Sequence, residues 1–164
     1  MTSRKEKRRG ARRCGSAQIE LALVLLLLCL LLVVFIDFGR MLLVYNAVAN
    51  AARAGVRYAM VNGNGQYTRP GLGPADNPPE VVAVIKNFVS SGMLRTSSFA
   101  TSCTPSGDSR ICVTYPGGTF NCSGALNAPG CPVDVTVVYR YDLLLNYFPL
   151  NVRLGSRSRG VITY

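Results

Sequence analysis

The chain has 164 residues, 49% of them apolar, with a mean hydropathy of +0.24 and a formal net charge of +10. That length suits one domain plus a membrane segment and is too short for two sizeable cores. The charge is not that of a nucleic-acid-binding surface: residues 1–15 alone hold seven Lys/Arg and one acid, and the rest of the chain is far closer to neutral.

Histidine is absent, which excludes Ser-His-Asp and Cys-His catalysis and any His-ligated metal. The basic segment 1–15 (MTSRKEKRRGARRCG) reads as a charged leader that stays cytoplasmic and orients the apolar segment behind it. Leu21–Ile36 then gives sixteen consecutive apolar residues. As a helix they span about 24 Å, and the flanks Ser16–Glu20 and Asp37–Leu43 bring the segment to membrane length. A secretory signal would carry small residues directly after this run. Asp37, Phe38, Gly39 and Arg40 stand there instead, and the first A-x-A (Ala47-Val48-Ala49) comes too late. A lipoprotein signal fails as well, since Leu27 and Leu28 precede Cys29.

A retained anchor, cut on its cytoplasmic side between Gly15 and Ser16, accounts for more of the detail. Cleavage there removes the basic leader and Cys14, makes Ser16 the new N-terminus and Glu20 its fifth residue. A carboxylate and an α-amine at this membrane depth are each costly alone and offset one another when paired. The carboxylate also sits favourably at a helix N-terminus. The alternative is that Glu20 merely occupies the interfacial layer.

From Asp37 to Met60 the helix is expected to continue, since Pro is absent and Gly39 and Gly55 are the only glycines. Ala47, Ala51, Gly55 and Ala59 recur four apart and form a ridge on one face. That ridge suits either packing between subunits or packing on the chain's own sheet. Asp37-Phe38-Gly39 is a coincidental match to a kinase metal motif, with no accompanying kinase elements.

The segments RRCGSAQIELALVLLLL and IDFGRMLLVYNAVANAARAGVRYA (Arg12 to Ala59) resemble the N-terminal region of the TadE-like family. These are pilin-like proteins of bacterial tight-adherence (Flp, type IVc) pilus systems. Leu21 stands where the family often has an aromatic residue. The resemblance implies a minor pilin or pseudopilin that acts in pilus assembly and is cut after Gly15 by a prepilin peptidase. It implies Glu20 as the group setting subunit register, with pilin-like subunits and the assembly platform as partners. It also implies a bacterial inner-membrane location, with the N-terminus cytoplasmic and the C-terminal domain periplasmic or extracellular.

Residues 62–164 are expected to form a small exported α+β domain. Asn62–Glu80 is a Gly/Pro/Asn-rich loop, with Pro78 and Pro79 opening a helix over Glu80–Leu94. The helical stripe there is Val81, Val84, Ile85, Phe88 and Val89, and Gly92 suits its end. Strands are expected at Arg110–Tyr115, Val133–Leu145 and Gly155–Tyr164, in an antiparallel sheet. Cys103, Cys112, Cys122 and Cys131 favour two disulfides in an oxidising compartment; four cysteines allow three pairings, and the two local pairs are preferred. Their spacing does not fit a structural zinc site. Asp76, Glu80 and Asp108 are scattered, Asp134 and Asp142 read as exposed strand positions, and Ser156–Arg159 (SRSR) reads as a solvated edge. No catalytic constellation or cofactor site emerges. The reading is a non-enzymatic assembly protein; the alternative is an uncleaved single-pass anchor displaying a disulfide-stabilised ligand-binding domain.

Overall fold

The computed structural model describes residues 6–63, 76–92, 94, 95, 97, 99–104, 109–116, 127–143 and 152–163, with side chains from Ala17 onward. The chain divides into two compact units, Met1–Arg40 and Met41–Tyr164. Helix α1, Glu6–Val61, contributes to both. In the first unit its leucines are bare: Leu21, Leu26 and Leu27 are 67%, 67% and 60% exposed.

The second unit is α+β. The α1 residues beyond Met41 and helix α2 (Pro79–Ser91) share one core with a four-stranded sheet. That sheet comprises β1 (Ala100–Thr101), β2 (Arg110–Thr114), β3 (Pro132–Tyr141) and β4 (Val152–Val161), in that spatial order. Val133, Val135 and Val137 point inward from β3 and are fully buried, with Ile111 and Val113 beside them. The period-two alternation of a half-buried strand places them there. Val48, Ala51, Ala52, Val56 and Ala59 of α1 meet them, together with Val81, Val82, Ile85 and Val89 of α2. The ladder continues past β4, where the Ile162 N–H donates to Cys131 O at 2.9 Å. The Thr163 N–H then donates to Met60 O at 3.1 Å and ties the chain's end to the end of α1.

Two features differ from expectation. The sheet is mixed, because β1 runs parallel to β2 (Ala100 opposite Arg110) while β2, β3 and β4 are antiparallel. The stripe of α2 is also rotated. Val82 is buried in place of Phe88, which is half exposed, because α2 is contacted by α1 as well as by the sheet.

The Cys103–Cys112 disulfide is formed, bridging the segment after β1 to β2. It is the one such pair among the described residues. The second local pair falls on Cys122, which lies outside them, as do the loop around it, Asp108 and most of Asn62–Glu80. Cys131 is fully buried and is not free.

Candidate functional site

Glu20 is exposed on α1 at the entry to the apolar run. Ser16 lies four residues before it in the same helix, so the two are one turn apart on one face. At the other end of the run Asp37 faces Arg40, with Oδ1 and Nη1 3.8 Å apart. The α1 stretch Ala17–Val61 is long and apolar enough to cross a membrane, and none of the residues of its most apolar part is buried. Such a surface needs lipid or other apolar helices around it.

The small-residue ridge lies in the second unit and is used within the chain. Ala51 and Ala59 are fully buried, and a Cβ on Gly55 would meet Ile85 Cγ1 at 2.7 Å. A Cβ on Gly92 would meet Ala47 Cβ at 2.6 Å. Gly92 ends α2 with φ −82°, so its glycine answers this close approach and not a left-handed cap. These contacts make α2 antiparallel to α1 and leave a groove along their outer side. The groove is about 840 Å³, and Arg53, Arg57, Tyr58, Val61, Val84 and Phe88 are among the residues that line it.

Asp134 is not the exposed strand residue expected: its side chain is 3% exposed. It lies opposite Arg159 across the β3–β4 ladder, and Arg157 is the diagonal neighbour. Arg159 Nε and Nη2 donate to it at 2.6 and 2.8 Å, and Arg157 Nη2 donates at 2.5 Å. The Arg159 hydrogen bond, against the opposing effect of burial and with help from Arg157, holds the Asp134 carboxyl below its usual range. SRSR is therefore a clamp whose guanidiniums still reach solvent. Asp142, paired with Arg140 at 3.4 Å, is exposed as expected.

Near the start of α2, Tyr115 is 5% exposed and its hydroxyl has no hydrogen-bond partner among the described residues. Burial first, then the charges of Asp76 and Glu80, push its pKa up to about 12. Asn77, at φ +58° and next to Asp76 in sequence, closes the edge of β2 beyond the short β1. Its N–H donates to Val113 O at 3.0 Å, and its Oδ1 accepts from the Val113 N–H at 2.8 Å. Sequence reasoning missed Asn77, although an Asn before Pro-Pro is a turn signal. Among the described residues no group of three or more His, Cys, Asp or Glu side chains is placed to hold a metal ion.

One helix is long and apolar enough to cross a bilayer, and it continues into a disulfide-braced α+β unit. Residues 15–57 match the family described as TadE-like protein, a match that starts at the expected cleavage glycine and ends on Arg57. It points to involvement in tight-adherence pilus systems and to membrane association with their components. No curated protein and no solved structure matches the chain.

Proposed function

We propose that the protein is a minor pilin- or pseudopilin-like subunit that acts in assembly of a tight-adherence pilus after a prepilin peptidase cuts between Gly15 and Ser16. One observation supports this reading most: Glu20 stands at the mouth of an apolar run exposed at every large side chain but Val33, one helical turn from Ser16, inside the TadE-like segment. Cutting places a new α-amine within a turn of that carboxylate, and the pair, within one chain or between neighbours, fixes the depth and register of the helix. Leu21–Ile36 supplies the anchor and the apolar surface for contact with other subunits. The protein is a substrate of the peptidase and carries out no catalysis of its own. Its inner-membrane placement, with the second unit exported, follows from the positive leader.

The braced second unit, with its own core and an open groove, supports a second reading: an uncleaved anchor presenting a binding domain. N-terminal mass analysis of the membrane fraction, with a prepilin peptidase present, separates the two. The first reading expects a chain beginning at Ser16; a chain beginning at Met1 or Thr2 sinks it. Glu20→Ala is expected to abolish pilus assembly while leaving the protein membrane-bound, whereas an uncleaved anchor would not respond.

A further inference from the structure

The groove between α1 and α2 combines two features that the assembly reading does not use. Arg53 and Arg57 are exposed, one turn apart on α1, and neither forms an ion pair among the described residues. None of the groove's described lining residues is an acid that could answer them. Apolar surface lies beside them, with Phe88 50% and Val61 58% exposed. Cations next to uncovered apolar side chains in a concave site call for an occupant that brings carboxylates and an apolar stripe together.

We propose that this groove receives an acidic amphipathic helix from a different protein chain, with two carboxylates one turn apart pairing with Arg53 and Arg57 and an apolar stripe against Phe88 and Val61. From Ala47 to Val61 the groove follows about 21 Å of helix, room for roughly four turns of a docked helix. The described helices of this chain do not supply that partner. Its described helices carry Glu6, Glu20 and Asp37 on α1 and Glu80 on α2, no two within one turn. A lipid headgroup is disfavoured by position. Leu43, 71% exposed, is the last strongly exposed leucine, and Arg53 and Arg57 lie about 15 and 21 Å further along the helix. The headgroup layer is only about 5–8 Å deep on each side of the hydrocarbon. The inference is independent of whether the leader is cut.

The test uses the full chain in phosphatidylcholine nanodiscs and a fluorescein-labelled, helix-forming 14-residue peptide. The peptide carries a leucine stripe and Glu at two positions four apart; a control has Lys at both. The Glu peptide is expected to bind saturably in fluorescence anisotropy, and the Lys peptide at least roughly tenfold more weakly. In Arg53→Glu/Arg57→Glu the preference inverts, and Phe88→Ser weakens binding of the Glu peptide. Because both arginines are exposed, the double variant keeps its thermal unfolding midpoint, which is measured alongside. Equal binding of both peptides, binding of neither, or a preference that survives charge reversal overturns the proposal. Displacement of the Glu peptide by millimolar glycerol 3-phosphate marks a headgroup site and also overturns it.

Discussion

Asn77 does two jobs together that, among the common residues, suit only Asn and Asp. It adopts φ +58°, which Asn tolerates and Ala does not, and its side chain satisfies the amide of fully buried Val113. Asn77→Ala therefore loses the conformational preference and leaves a buried N–H unpaired, about 2–3 kcal/mol in total. Asn77→Gly keeps the backbone and loses only the bond, and urea unfolding should place it between wild type and the alanine variant. Asp134 tests charge in the same unit. Its folded-state pKa is lowered, so its contribution is present above the ordinary 3.8 and is lost as pH falls below it. Acid unfolding of Asp134→Asn is expected to lack that component. Arg159→Ala should cost more stability than Arg157→Ala, since Arg159 supplies two bonds to Asp134 and Arg157 one. Equal losses from the two variants would refute the ranking.

At the scale of elements, the helices and β2–β4 were legible because each carries its own period. Sixteen apolar residues in a row define the exposed part of α1, Pro78-Pro79 the start of α2, and Val133, Val135 and Val137 the inner face of β3. What was not legible depends on neighbours distant in sequence. The two residues of β1 carry no pattern, and their parallel pairing exists only because β2 returns beside them. Asp134 looks like an outward-facing strand residue until β4 brings two arginines over it. In the candidate site, the place of Glu20 at the entry to the apolar run follows from the sequence alone, whereas the groove required knowing which side of α1 the ridge occupies. Gly55 shows how tightly that side is filled. Gly55→Ala gains about 1 kcal/mol of helix propensity but drives a methyl into Ile85, at an overpacking cost of about 1–3 kcal/mol. A lowered thermal midpoint is expected for Gly55→Ala. Gly39, whose Cβ position is open, should accept alanine without loss. A stabilised Gly55→Ala protein would mean that α1 and α2 are less closely packed than 2.7 Å implies.

The two units meet different physical requirements. Residues of the first expose leucine after leucine and depend on a bilayer or on partner helices, while the second closes its own core from α1, α2 and the sheet. A fragment comprising residues 41–164 should therefore be soluble without detergent, and its unfolding midpoint should lie within a few degrees of that of the full chain in detergent. The full chain without detergent is expected to aggregate, since the apolar surface of Leu21–Ile36 then has no cover. Within that fragment the Cys103–Cys112 bond closes a loop with a sequence separation of 9, which corresponds to about 2–3 kcal/mol of chain-entropy stabilisation. For a unit of this size, the double variant Cys103→Ser/Cys112→Ser should melt about 10 °C lower. Calorimetry of both fragments, oxidised wild type and double variant, checks this directly. An unchanged midpoint would show that Asn77 and the β1–β2 pairing hold the segment after β1 unaided. A fragment that is unfolded even when oxidised would show instead that the second unit needs the membrane helix to fold.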